Sequence, residues 1–329
     1  ALIGTTGVCL APGPVAFYTF YAVMSLAIYG LVIHDGSRGA RRAANVYLGF
    51  TVAGEAALLA ALLLGVSEGV LAGPWGVGLA VAALGIKFGL VPLHMWMPLA
   101  YGAAPVAAGA ILGGAMVNAG LLGWLRFLPL GEVALPGWGE VLVLLGAVAA
   151  FGGVLVGLTQ RNPKALLGYS SISQMGWVTL AVGAALMVPG AWRGELQPVV
   201  VAYALHHGLV KGGLFLALGL TAAAAPCRQW RWAVALLAIL ALMLAGAPGT
   251  SGAAAKLALK HALAHLPGAD GGAVAALLTA GALATTLLLG RLLLLARAEQ
   301  PGPQVGAAAW AAALAPALAA LVLPWLWPV

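Results

Sequence analysis

Long apolar stretches alternate with short polar connections along the whole chain. Each stretch holds roughly 20 residues, enough for an α-helix to cross a hydrocarbon core of ~30 Å. Backbone groups in lipid must find hydrogen bonds within their own segment, so these stretches are predicted to be helices. The pattern predicts ten spans, at about residues 16–33, 46–65, 75–98, 104–128, 140–159, 165–188, 198–224, 232–266, 273–296 and 305–327.

The composition supports an all-α polytopic membrane protein. Apolar residues make up 63% of the chain and charged residues only 7%, whereas soluble domains carry about 25% charged residues. Residues 1–11 are also apolar, so we expect them to be the end of an earlier span. The two cysteines, Cys9 and Cys227, lie far apart and lack the spacing of metal ligands.

The net charge of +7 is distributed as a membrane-topology signal, because basic residues gather in alternate loops. One side of the predicted membrane has Arg38, Arg41, Arg42, Arg161, Lys164, Arg228, Arg231 and Arg297, against Asp35 and Glu299. The other side has Arg126 and Arg193 against Glu68, Glu132, Glu140, Glu195 and Asp270. The basic loops are therefore predicted to be cytoplasmic, in a prokaryotic inner membrane, and nucleic-acid binding is not indicated.

Two spans are predicted to break inside the membrane. The third contains Pro92 and Pro98, and the eighth contains Ala-Pro-Gly-Thr-Ser-Gly at 247–252. Broken helices at corresponding positions of two halves point to a transport site. Their separation by five spans predicts two inverted five-helix repeats, residues 1–128 (with a truncated start) and 129–297, followed by a C-terminal helix in 298–329.

Six polar residues fall near the predicted membrane midplane: Glu55, Lys87, Asn118, His207, Lys211 and Lys256. A charge at the bilayer centre costs about 2.5–3.5 kcal/mol on insertion scales, and intramembrane ionisable residues usually serve function. The pattern indicates a proton relay. The alternative is that each lysine only pairs with a carboxylate or with carbonyls at a helix break.

Other polar residues are open to two interpretations. His94, close to Pro92, could cap freed carbonyls or carry protons. Lys260, His261 and His265 approach the outer interface and could snorkel there. His206 is predicted to be a packing residue, because it points away from the face of His207.

Four segments resemble the antiporter-like subunits of respiratory complex I, membrane-bound hydrogenases and Mrp-type cation/proton antiporters. They are GIKFGLVPLHMWMPLAYGAAPV (85–106), TQRNPKALLGYSSISQMG (159–176), HHGLVKGGLFLALG (206–219) and GAPGTSGAAAK (246–256). The resemblance implies that Lys87 and Lys256 are the ionisable residues of the two broken helices. It also implies that His207 and Lys211 form the central axis between them.

The chain departs from the family pattern in its first half. Ala22 stands where the family has a glutamate, and Asn118 stands at the position of a lysine. Leu99 and Asn162 replace acidic residues. The resemblance therefore implies an altered first half-channel and a second half that keeps its ionisable residues.

The sequence predicts a proton-translocating subunit, with Na⁺ as the alternative ion, in a multisubunit membrane complex of complex I-like, hydrogenase-like or Mrp-like type. The alternative is a non-conducting subunit that scaffolds partners or couples to a soluble enzyme module. No nucleophile–base pair, metal cluster or nucleotide-binding loop is visible, so no catalytic site or cofactor is predicted in the chain itself.

Glu55 is the only acidic residue deep within a predicted span, and its depth matches that of Lys87 within about 2 Å on the helical rise. Because Ala22 removes the usual carboxylate, Lys87 needs another counter-charge. We therefore predict that Glu55 supplies it, directly or through one water.

Overall fold

The computed structural model describes residues 1–68, 71, 73–223, 228–296 and 305–326, and these residues fold into helices without a strand. Arg297 and Glu299 of the predicted topology lie outside the described residues. Seven helical stretches among the described residues are long and apolar enough to cross a membrane. The helices are α1 (Leu2–Leu10), α2 (Pro14–Val32), α3 (Arg38–Glu68), α4 (Pro74–Phe88), α5 (Trp96–Ala103), α6 (Val106–Ile111), α7 (Val117–Phe127), α8 (Pro136–Leu158), α9 (Pro163–Met187), α10 (Gln197–Ala223), α11 (Arg228–Ala245), α12 (Ser251–Ala264), α13 (Gly271–Leu295) and α14 (Ala307–Leu326).

Local sequence signals set many helix starts. Proline occupies the first helical residue of α2, α4, α8 and α9, where its missing N–H would have no intrahelical partner. Side chains cap the backbone N–H groups of three helices: Asn162 for α9, Thr250 for α12 and Asp270 for α13. Helix α3 is longer than predicted, because it begins at Arg38 and includes the basic residues assigned to a loop.

The first interruption lies between α4 and α5, where Pro92 predicts it. The end of α4 is capped by Gly89 at φ +83°, and Leu90 N–H donates to Gly85 O at 2.8 Å. The Trp96 indole N–H donates to Ile86 O at 2.8 Å. A tryptophan of the motif at 85–106 therefore satisfies a carbonyl that the break leaves free.

The second interruption lies between α11 and α12 and ends in the same way. Gly246 has φ +90°, and Ala247 N–H donates to Leu242 O at 3.0 Å. Thr250 then caps α12 through its hydroxyl, which accepts from Ala253 N–H at 3.3 Å. Both broken helices thus stop at a glycine in the left-handed region, which side chains with a Cβ enter only with strain.

Helix α10 lies in the middle of the bundle and is buried along most of its length. It packs against α6, α9, α11, α12 and α14. A π-helical turn at Trp192–Leu196 leads into it, and another at Leu112–Met116 separates α6 from α7. Such turns often occur at functional sites in helices, and both here adjoin α10.

Substituting Gly246 with alanine should destabilise the protein by about 1–2 kcal/mol, because an L-residue there must adopt a left-handed conformation. A Cβ would also lie 3.0 Å from Lys256 Cδ. Thermal unfolding of the purified full-length protein, followed by tryptophan fluorescence, measures the effect. Gly290→Ala on α13 is the control, since its Cβ would enter open space. Equal melting temperatures for the two variants would contradict this account of the break.

Candidate functional site

Lys87 occupies a closed polar cluster beside the first interruption. Its side chain is 1% exposed. Its Nζ donates to the Tyr47 hydroxyl at 3.0 Å and to Thr51 Oγ1 at 2.9 Å, both on α3. The Tyr47 hydroxyl in turn donates to Ser25 O at 2.9 Å, and the Tyr47 ring centroid lies 4.6 Å from Nζ. Hydroxyl oxygens and a ring face therefore hold this ammonium group.

Glu55 shares a face of α3 with these partners, because Tyr47, Thr51 and Glu55 follow one another at intervals of four residues. The direct contact predicted between Glu55 and Lys87 is absent, since no oxygen of the carboxylate lies within 4.0 Å of Lys87 Nζ. The two groups still interact electrostatically. Glu55 Oε1 is buried and has no hydrogen-bond partner in the described protein. Bridging through one water stays a prediction.

Lys211 and His207 lie on the same face of α10, four residues apart, and both are fully buried. Lys211 Nζ donates to Leu167 O of α9 at 2.8 Å. Neither ring nitrogen of His207 has a hydrogen-bond partner among the described residues. The α9 helix adds two buried hydroxyls that also lack one, Ser170 and Ser171, within a turn of Leu167. The centre of the bundle therefore holds a lysine amine, an imidazole and two hydroxyls.

Lys256 and His206 meet at the second interruption. Lys256 Nζ donates to Ala245 O at 2.8 Å, a carbonyl freed where α11 ends. His206 Nδ1 lies 2.8 Å from Ser251 Oγ at the start of α12, and His206 interacts electrostatically with Lys256. His206, predicted to be a packing residue, is buried, and its ring also makes a polar contact with the broken helix.

Asn118 joins the bundle as a structural link. Its Nδ2 donates to Gly114 O at 3.1 Å and to Ala204 O at 3.3 Å, so it ties α7 to α10 beside the π-helical turn. Its Oδ1 is buried and has no partner in the described protein. An amide does not take up or release a proton near neutral pH. The position that the family resemblance assigns to a lysine is thus held by a non-titrating group.

A row of aromatic rings in edge-to-face contact connects the Lys87 cluster with α10. We call Tyr47, Trp96, Tyr101 and Phe215 the aromatic partition. Ring centroids are 5.2 Å apart for Tyr47 and Trp96, 6.5 Å for Trp96 and Tyr101, and 5.5 Å for Tyr101 and Phe215. All four side chains are buried. Since Phe215 is one turn from Lys211, apolar ring contacts lie along this route between the first and central polar groups.

Two of the predicted site residues are not joined to these groups by hydrogen bonds. His94 is partly buried, and its Nδ1 has no partner in the described protein. Trp96, rather than His94, caps the freed carbonyl at the first break. Lys260 is partly exposed, one turn beyond Lys256 on α12.

The segment at 159–176 fixes the far end of the first broken helix. Asn162 caps α9 and also donates through Nδ2 to Gly102 O at 3.3 Å. Lys164 Nζ donates to Ala104 O at 2.7 Å. These bonds satisfy carbonyls at the end of α5, and this explains why an amide serves at residue 162.

Sequence reasoning missed a buried polar triad that links three helices. The Tyr203 hydroxyl donates to Gln174 Oε1 at 2.8 Å, and Gln174 Nε2 donates to Thr285 Oγ1 at 3.1 Å. The three residues lie on α10, α9 and α13. A glutamine inside an apolar helix was the available signal, because a buried amide requires partners.

A cleft of about 640 Å³ lies beside α12. It is lined by residues from α12 and from the π-helical turn before α10: Glu195, Val199, Ala254, Leu257, Ala258, His261, Ala262 and His265. Two of them, Ala254 and Ala258, are two residues before and after Lys256. Residues two apart on an α-helix point about 200° apart, so the cleft lies on the face of α12 opposite to Lys256.

The family described as NADH:quinone oxidoreductase/Mrp antiporter, transmembrane, matches residues 13–267, well over half of the chain. The chain belongs to this family. Hydrogenase-4 component B of Escherichia coli (strain K12) is 35% identical over 225 residues, which are 62% of this chain and 33% of that protein. NADH-quinone oxidoreductase subunit M of the same strain is 30% identical over 285 residues, 75% of this chain and 54% of that protein. The chain thus spans a third to about half of the length of these relatives.

Solved structures show the same fold. The Mrp complex from Dietzia sp. DQ12-45-1b has a chain with a TM-score of 0.82 and 21% identity, covering 98% of this chain and 73% of that one. Respiratory complex I from Thermus thermophilus gives a TM-score of 0.79 and 24% identity, with 98% and 77% covered. The chain is therefore a multi-pass membrane protein with the antiporter-like fold, and its relatives are subunits of multisubunit complexes.

Proposed function

We propose that this chain translocates protons as part of an antiporter-like subunit, with Na⁺ as the alternative ion. One observation carries the proposal: the buried Lys87 and Lys211 and the partly buried Lys256 form hydrogen bonds to neutral oxygen atoms of the protein. Lys211 and Lys256 form no ion pair with a described carboxylate. A buried amine held by neutral acceptors can exist as free base or ammonium, which is what proton exchange requires.

The two halves of the chain differ in the ionisable groups available for proton transfer. In the second half, Lys211, His207, His206 and Lys256 follow one another from α10 to the broken helix. In the first half, the aromatic partition runs from the Lys87 cluster to α10, and Asn118 ties α7 to α10 through an amide that cannot carry a proton. We infer that protons cross through the second half, and that the charge of Lys87 acts on it electrostatically through the protein interior.

Two inverted repeats account for the arrangement. We assign residues 1–128 to the first repeat, 129–297 to the second and 298–329 to a C-terminal helix, with ten spans in all. Both interruptions end in the same glycine cap. In each proposed repeat the helix before the broken one contacts it through polar side chains, α3 at Lys87 and α10 at Ser251. These parallels support the assignment.

The cytoplasmic membrane is the proposed location, with the basic loops inside. The Ser37 hydrogen bonds, with a further contribution from the charge of Lys164, hold the pKa of Asp35 below its usual range. The loop that contains Asp35 and the loop that precedes α9, both predicted on the basic side of the membrane, are therefore neighbours. On the other side, Arg193 lies 3.7 Å from Glu132. These two proximities agree with the topology read from charge.

Partners are proposed to be other membrane subunits of a complex I-like, hydrogenase-like or Mrp-like assembly, together with lipids. The relatives are named as components of such complexes, and the chain covers only part of each. Any redox chemistry would reside in those partners, and no nucleic acid is involved.

A non-conducting scaffold is the second candidate. Asn118 favours it, because its two hydrogen bonds to carbonyls make it a tie between helices at a family lysine position. Ala22 removes a second ionisable group. The buried Lys87 and Lys211 argue against it, since a scaffold gains nothing from the cost of burying them.

Lys256→Met in the full-length subunit tests the proposal. We expect proton flux to fall by about 100-fold, because methionine fills a similar volume but removes a positioned proton-transfer group. Flux is measured in inverted membrane vesicles that carry the native complex, with and without Na⁺. Arg42→Met, which removes an exposed cation at the start of α3, is the control. Unchanged flux in Lys256→Met vesicles would favour the scaffold.

A further inference from the structure

Two adjacent histidines on α10 face different neighbours. Successive residues of an α-helix point about 100° apart, so His206 and His207 cannot share a face. His207 lies on the face of Lys211, one turn away. His206 is directed toward α12, where its Nδ1 lies 2.8 Å from Ser251 Oγ. The pair therefore joins the centre of the bundle to the second interruption.

The His206 ring is held in a fitted site. It is 2% exposed. Gly252 follows Ser251, and a Cβ added there would lie 3.1 Å from the ring atom Cε1. The second ring nitrogen, Nε2, is buried and has no hydrogen-bond partner among the described residues. Buried polar atoms are normally satisfied, so an imidazole in this state calls for a functional explanation.

The titratable groups that act on His206 lie on both sides of it. Lys256 of α12 interacts with it electrostatically, and so does His207 of α10, which in turn interacts with Lys211. Imidazole can carry a proton on one nitrogen while the other accepts one. The Ser251 hydroxyl fixes which nitrogen faces the protein and leaves Nε2 available.

We propose that His206 carries the proton between the His207–Lys211 pair and Lys256. The proposal rests on the proton-translocating function proposed above and adds a relay residue to it. The Lys211 ammonium gives one proton to His207, the resulting imidazolium passes one to His206, and His206 delivers one to the free amine of Lys256. Each step breaks one N–H bond and forms another. Lys211 ends as an amine and Lys256 as an ammonium.

A matched pair of substitutions separates proton carriage from packing. Gln and Glu have nearly the same size and can both contact Ser251, but only Glu can take up and release a proton. We expect His206→Gln to lower proton flux by about tenfold and His206→Glu to retain several-fold more flux than His206→Gln. Flux is measured in inverted vesicles carrying the native complex, normalised to the amount of assembled subunit. His34→Gln, in an exposed loop, is the control.

A purely structural role predicts the opposite order. Burying a carboxylate costs more free energy than burying an amide. If His206 were only structural, His206→Gln would therefore preserve the site better and conduct at least as well as His206→Glu. That order, or full flux in His206→Gln, would overturn the proposal. If Lys211→Met abolishes flux while His206→Gln does not, the relay residue is wrong and the proposed function stands. If both variants conduct fully, the proposed function itself fails.

Ser251→Ala provides a second measurement in case the His206 variants do not assemble. It leaves the imidazole in place and removes the contact that orients its ring. We expect a several-fold loss of flux together with a changed pH profile, because the ring then loses both its fixed direction toward α12 and a polar partner. Wild-type flux and an unaltered pH profile in assembled Ser251→Ala complexes would overturn the assignment.

Discussion

Proton flux should fall by about 100-fold when Lys211 is replaced by methionine, the loss typical of removing a positioned proton-transfer group. Lys211 is fully buried, and its Nζ donates only to Leu167 O among described acceptors. Methionine fills a similar volume but cannot bind a proton. Since the Lys211 side chain has no exposed surface, bulk water cannot easily take its place.

The measurement is uncoupler-sensitive acidification of inverted vesicles that contain the assembled native complex. Leu209→Met, on the same helix and partly buried, controls for the introduction of methionine into α10. Lys211→Arg should lose flux as well, since a guanidinium group stays protonated. If Lys211→Met complexes pump at the wild-type rate, the central amine is not on the proton route.

The helix breaks were predictable because proline and glycine act through the backbone. Pro92 and the Pro248-Gly249 pair cannot continue a helix without loss of hydrogen bonds or conformational strain. The residues whose side chains bond to the backbone at each break were harder to predict. Trp96 and Lys256 satisfy carbonyls that only the folded end of a helix leaves free, and no spacing rule indicates which carbonyls those are.

The neighbours that the side chains of α10 face could not be predicted from the sequence. This helix is apolar on most of its sides, so its sequence shows no apolar stripe from which a facing neighbour can be inferred. The shared face of His207 and Lys211 follows from their spacing of four residues, whereas the contact of His206 with Ser251 depends on how the broken helix packs against α10. Likewise, Tyr47 and Thr51 look like ordinary residues of an apolar span until the fold brings them to Lys87.

Replacing Glu55 with glutamine should impair proton flux about as strongly as Lys87→Ala, because each substitution removes one member of a charge pair that acts on the second half through the protein interior. Glu55 lies one turn from Thr51, which accepts a hydrogen bond from Lys87. Its Oε1 is buried without a partner in the described protein, so this oxygen is not engaged in capping another group. A carboxylate so placed can reach the ammonium through one bridging water, and it replaces the counter-charge that Ala22 cannot supply.

The double variant Glu55→Gln/Lys87→Ala decides whether the two residues act as a unit. Coupled residues give a double variant that costs little more than either single one, because removing one partner already disables the other. Glu140→Gln, exposed at the start of α8, controls for loss of a carboxylate in the same flux measurement. If the two losses multiply in the double variant, Glu55 and Lys87 work independently, and the carboxylate that balances Lys87 must come from elsewhere in the complex.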